Sequence, residues 1–204
     1  MIVLHKQQRN KMDITKLLGN KAESVWDKYV PIITTDRHTD AYITDGIEDP
    51  SNYNELCHIL RTAYRGDTIT LHINTPGGMI DSAFMIIDAI KSSKAKVTAK
   101  LSGTVASAGT IITMVCDTVE VANHTGFMIH NYSAGLSGKG HEMKARQEFI
   151  DSSLNSAFKD FYSGFLTEAE MDSVIDGKDL WMGKDEVVER WNYKVGKTTR
   201  KEEE

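Results

Sequence analysis

Three side-chain types at particular places in this chain could carry out acyl transfer: Ser107, His130 and one of two aspartates, Asp176 or Asp179. Ser107 stands between Ala106 and Ala108 in the stretch Gly103-Thr104-Val105-Ala106-Ser107-Ala108-Gly109-Thr110. Its surroundings are small enough for a substrate to approach. The apolar run Ile111 to Cys116 behind it reads as a buried helix, and the alternating run Ala95 to Leu101 ahead of it reads as a strand. A serine at such a junction lies beside the free N–H groups and the positive dipole end of the helix, which is where an oxyanion is stabilised. The plain alternative is that Ser107 caps the helix and does nothing else.

A serine nucleophile needs a base, a carboxylate to orient the base, and N–H donors for the oxyanion. His130 closes the strand Gly126 to His130, and a polar imidazole after apolar positions suggests a side chain delivered to an edge or cleft. Six further histidines compete (5, 38, 58, 72, 124 and 141), and His72 is the chief rival because it too lies in a strand. Asp176 and Asp179 flank Gly177-Lys178, and spacing alone does not choose between them. The donors would be the backbone N–H of Gly78, on a turn where glycine permits close approach, and that of Ala108.

The elements that must position these groups follow from periodicity. Ala41 to Thr44 and Thr68 to Ile73 read as strands, with a helix from Pro50 towards Gly66 between them; Met79 to Lys91 is a second helix. Such alternation gives βαβ units and a parallel sheet, with ligands at the carboxyl ends of its strands. Asn74 to Gly78, Gly103 to Ser107 and His130 all fall at such ends. Thr118 to Ala122 and Gly126 to His130 are close strands. His141 to Phe165 is a long helix of about 38 Å at 1.5 Å per residue, and its Phe149, Phe158, Phe161 and Phe165 are too many aromatics for a solvated surface. Thr167 to Glu170 is a capping box, and Gly183 to Trp191 is the last helix.

The net charge is −5, with no basic stripe that would suggest nucleic acid as the main partner. Two cysteines far apart, an N-terminal apolar run too short for a signal peptide and no membrane-length apolar segment imply a cytoplasmic protein. No metal or cofactor motif is present, so none is expected.

Three short motifs in order resemble the ClpP family, the proteolytic subunits of the Clp protease. They are Ile73-Asn74-Thr75-Pro76-Gly77-Gly78, Gly103-x-x-Ala106-Ser107-x-Gly109 and Met128-Ile129-His130. The resemblance covers about residues 41–193. It implies an α/β, ClpP/crotonase-like spiral of ββα units with a protruding handle helix at about 141–165. The peptidase domain would occupy residues 38–195, after an N-terminal extension (1–37, with a short helix at about Ile14 to Trp26) and before a disordered charged tail (196–204). The family's nucleophile falls on Ser107, its histidine on His130 and its oxyanion donors on Gly78 and Ala108. Its aspartate precedes an aromatic–aliphatic pair, which favours Asp179-Leu180-Trp181-Met182 over Asp176. Tyr132 stands where the family commonly has proline. The resemblance further implies polypeptide substrates, a homo-oligomeric ring (a heptamer or stacked double heptamer) and an AAA+ unfoldase partner. Rival readings are a capsid-maturation or other peptidase of the same fold that does not depend on an ATPase, a crotonase-like acyl-CoA enzyme and an inactive ring subunit.

Overall fold

A computed structural model of the chain describes residues 30–135 and 137–202, with side chains through residue 196. The helix expected around Ile14 to Trp26 lies outside the described residues. The chain is a mixed α/β spiral. Its strands are β1 (Ile32–Thr35), β2 (His38–Thr44), β3 (Thr68–Thr75), β4 (Lys96–Ala106), β5 (Thr118–Val121), β6 (Gly126–Ile129) and β7 (Leu180–Met182). Its helices are α1 (Asn54–Thr62), α2 (Ile80–Ser92), α3 (Ala108–Met114), α4 (Gly140–Tyr162), α5 (Glu168–Ile175) and α6 (Lys184–Glu202).

The strands form one sheet in the order β1-β2-β3-β4-β6-β7, with β5 also on β4. β2, β3 and β4 are parallel, as the strand–helix alternation requires, and β1 and β7 are antiparallel edges. β1 lies within the segment expected as an N-terminal extension. Alternate residues of the parallel strands (Ile43, Leu71, Ile73, Ala99, Leu101) are buried against Leu56, Leu60, Ile86 and Ile87 of α1 and α2. The opposite face carries Asp40, Tyr42 and His72, as period-two alternation dictates.

β4 is longer than the expected strand ending at Leu101. Its first half pairs with β5 (Thr98 to Leu101) and its second half with β6 (Thr104 to Ala106). The change of neighbour falls at Gly103, whose φ of +61° bends the strand. A Cβ there would sit 2.7 Å from Asn74 Oδ1, the atom that accepts from Thr104 N–H at 3.1 Å. Because β4 changes partner, it ends beside β6 and leaves Ser107 next to the strand that delivers His130.

The expected helix from Pro50 starts as a 3₁₀ turn (Pro50–Tyr53), capped by the Asp49 carboxylate on Ser51 N–H, before α1 begins. The capping box at α5 forms as read, with Thr167 Oγ1 accepting from Glu170 N–H and Glu170 accepting from Thr167 N–H. α6 runs on to Glu202, past Gly196 and through the segment expected as a disordered tail.

α4 ends at Tyr162, and it corrects one sequence argument. Phe158 (5 % exposed) and Phe165 (3 %) are buried within this chain, and Phe161 packs on Phe84 with ring centroids 6.1 Å apart. Phe149 alone of the four aromatics is widely exposed, at 71 %. The crowding of aromatics therefore reflects docking of the C-terminal half of α4 onto α3 and the rest of the core. The N-terminal half of α4 stands away from that core.

Candidate active site

Ser107 is the single residue between β4 and α3, and the turn it makes is sharp. Its φ of 54° and ψ of −123° lie in a region that L residues with a Cβ rarely adopt, and such strain concentrates at functional sites. The surroundings enforce it. Ser107 N–H donates to Met128 O at 2.9 Å, and its carbonyl accepts from both Thr110 N–H (2.9 Å) and Thr110 Oγ1 (2.6 Å). Although Ser107 occupies the N-cap position, its hydroxyl makes no cap hydrogen bond. The reading of Ser107 as a mere helix cap therefore fails, because the oxygen is not spent on the helix.

The turn after β3 passes directly beside this serine. A Cβ on Gly77, whose φ is +99°, would lie 2.5 Å from Ser107 Cβ and 3.0 Å from its Oγ. Gly78, with φ +151°, runs against the backbone of Ile47, where any side chain would collide. Ile47 N–H donates to Gly77 O at 2.8 Å, and Met79 N–H donates to Ile47 O at 2.7 Å. That pattern uses the groups on either side of Gly78 and leaves Gly78 N–H without an acceptor among the described residues. Ala108 opens α3, so its N–H likewise has no intrahelical acceptor. Two unspent N–H groups thus flank the serine.

A cavity of about 840 Å³ opens in front of it, lined by Ser107, Gly78, Ala108 and His130 together. Its apolar walls are Phe84 and Ile111 on one side and Ile150, Leu154 and Phe158 of α4 on the other. Four of the five predicted site residues therefore meet at one cavity. His130, half-buried, follows β6.

Asp179 does not line the cavity and is exposed. Its position nonetheless follows from strand register. β6 and β7 pair antiparallel as Phe127↔Met182, Met128↔Trp181 and Ile129↔Leu180, so the next positions along the ladder are His130 and Asp179. Asp176, the C-cap of α5, lies three residues off that ladder. Among the described residues no hydrogen bond joins Ser107, His130 and Asp179 in this isolated chain. The rival His72 is occupied elsewhere: its Nε2 is 2.7 Å from Asp40 Oδ1 and its ring stacks on Tyr42 at 4.4 Å, away from the cavity lining. His38 also pairs with Asp40, at 3.3 Å, and these contacts hold the Asp40 carboxyl below its usual range against the effect of burial.

Several site contributors carry no sequence signal. Ile47 reaches the Gly77-Gly78 turn only through backbone bonds. Tyr132 donates to Asp151 and accepts from Gln147 Nε2 at 2.5 Å, which ties the segment after His130 to α4. Asn131 Nδ2 donates to Ile175 O at 2.7 Å and ties the same segment to α5. Among the described residues no three His, Cys, Asp or Glu side chains converge to hold a metal, and no helix is long and apolar enough to cross a membrane.

A sharp strand-to-helix serine, two open N–H groups and a histidine in one cleft are groups that serine-type hydrolysis needs. Comparison with known proteins agrees. Residues 32–189 match the Clp protease family, and the chain belongs to that family. It is 28 % identical over 152 residues to the ATP-dependent Clp protease proteolytic subunit 2 of Pseudomonas aeruginosa, covering 72 % of this chain and 75 % of that protein. Against proteolytic subunit 1 of Chlamydia caviae the identity is 27 % over 183 residues, covering 82 % and 88 % of the two chains. Against proteolytic subunit 3 of Rhizobium meliloti it is 31 % over 125 residues, covering 59 % and 63 %. The spiral α/β fold is that of the family, and the chain is a ClpP-type serine peptidase.

Proposed function

We propose that this chain cleaves polypeptides through an acyl-enzyme formed on Ser107. His130 takes the Ser107 proton as Oγ attacks the scissile carbonyl, and later returns it to the leaving amine. Asp179 orients the imidazole from the facing strand. The N–H groups of Gly78 and Ala108 receive the developing oxyanion. The observation that carries the reading is the strained Ser107 turn, with its hydroxyl and both flanking N–H groups uncommitted, opening on the cavity that holds His130.

The missing hydrogen bonds among the three residues are consistent with this role, since such contacts tighten when substrate is bound. An extended peptide would lie along the segment after His130, adding to it by backbone hydrogen bonds. The exposed Phe149 on the N-terminal half of α4 supports assembly with further copies of the chain into a ring, where a chamber would admit short peptides. Folded proteins would enter only with an AAA+ unfoldase. The test of the catalytic reading is hydrolysis of a fluorogenic peptide by the parent and by Ser107→Ala. Loss by several orders of magnitude supports it, and residual activity within about tenfold of the parent overturns it.

A further inference from the structure

The buried hydroxyl of Tyr162 sits far from Ser107 in sequence, yet it is two hydrogen bonds from the nucleophile's own peptide unit. Tyr162 is the last residue of α4 and 2 % exposed; Thr110, in the first turn of α3, is wholly buried. Their oxygens are 2.6 Å apart. Thr110 has one hydroxyl proton and directs it to Ser107 O at 2.6 Å. The phenol must therefore donate to Thr110 Oγ1. Burial pushes the Tyr162 phenol up, so it keeps its proton. The relay runs one way: Tyr162 O–H to Thr110 Oγ1–H to the Ser107 carbonyl.

The Ser107 carbonyl and the Ala108 N–H belong to the same planar peptide unit. Fixing the direction of one fixes the direction of the other. The Ser107 carbonyl is held by Thr110 N–H as well as by its hydroxyl, and a polarised acceptor strengthens the N–H across the same amide. From this geometry we infer that Tyr162 is a positioning residue, which aims the Ala108 N–H at the oxyanion through Thr110 and so links the docking of α4 to the chemistry. The inference rests on the proposed role of Ser107.

The experiment compares Tyr162→Phe, Thr110→Val, Thr110→Ser and the Tyr162→Phe/Thr110→Val double variant in the full-length assembled protein. It reads kcat and KM on a fluorogenic peptide, the rate of fluorophosphonate labelling, and thermal stability. Losing one oxyanion donor costs about 10²–10³ in kcat, and misaiming one costs less, so Tyr162→Phe is expected to lower kcat and labelling about tenfold with KM within about twofold. Thr110→Val is expected to match it, Thr110→Ser to keep most activity, and the double variant to be no worse than the poorer single one. A Tyr162→Phe protein that loses stability but not kcat overturns the inference, as does an additive double variant. If Tyr162→Phe does not fold, the threonine pair decides: equal kcat in Thr110→Val and Thr110→Ser overturns the relay. A Ser107→Ala protein that remains active would instead overturn the underlying catalytic reading, so the two failures are distinguishable.

Discussion

Gly77→Ala tests how tightly the turn after β3 is fitted to the nucleophile. The alanine methyl would lie 2.5 Å from Ser107 Cβ and 3.0 Å from both Ala106 O and Ser107 Oγ, where the neighbours are backbone and a short side chain with no room to retreat. The φ of +99° adds a backbone penalty of about 1–2 kcal/mol for any residue with a Cβ. Overpacking adds about 1–3 kcal/mol more. The total expected destabilisation is therefore about 2–5 kcal/mol. The strain relaxes by displacing Ser107 or the Gly78 N–H, and a misplacement of about 1 Å costs on the order of 10² in rate. Urea unfolding gives the stability, and the second-order rate of fluorophosphonate labelling gives the reactivity. Gly183→Ala is the control, because nothing lies within 4 Å of a Cβ there; as the residue before α6 it is expected to cost no more than about 1 kcal/mol and to leave labelling unchanged. Gly77→Ala with parental stability and labelling would refute the tight fit between the turn and Ser107.

Three other perturbations follow from the same structure. Asp179→Asn is expected to lower turnover by about 10⁴ while Asp176→Asn changes it little, and steady-state kinetics showing the reverse would displace the carboxylate by three residues. Phe149→Glu is expected to weaken assembly in sedimentation velocity without lowering stability, because Phe149 is exposed; Phe158→Glu, which buries a charge in the chain's own core, is expected to unfold the subunit itself. Glu170 accepts two hydrogen bonds from Arg190, at 2.7 and 2.9 Å, and this holds its carboxyl at about 2 against an ordinary value of 4.5. A lowered folded-state pKa means the stabilisation is complete above about pH 4.5 and is lost as pH falls towards 2. Glu170→Gln should therefore flatten the loss of thermal stability across that window, and an unchanged acid profile would count against the pairing.

The strand–helix alternation, the capping box at Thr167 and the three short motifs were legible because each is local: side-chain period, cap chemistry and turn glycines are written within a few residues. Four of the five residues proposed from those local signals line one cavity. The choice between Asp179 and Asp176 rested on resemblance, and the β6–β7 register, a long-range property, now supplies a physical reason for it. The helix α4 shows what was not legible. Its aromatics were visible, but periodicity cannot say whether an apolar stripe faces the same chain or another one, and here Phe161 packs on Phe84 and Phe158 is buried in the chain's own core. The bend of β4 at Gly103 was missed because a strand that changes neighbours keeps its own alternation. The Tyr162–Thr110 relay spans 52 residues and leaves no pattern in sequence.

The central claim is that Ser107 is the nucleophile, and the most direct measurement is to locate the adduct of a fluorophosphonate on the assembled protein by peptide mass spectrometry. The account predicts a single adduct on Ser107, absent from Ser107→Ala, with peptidase activity falling in proportion to its formation. An adduct on another residue, or full labelling with peptidase activity untouched, would contradict it.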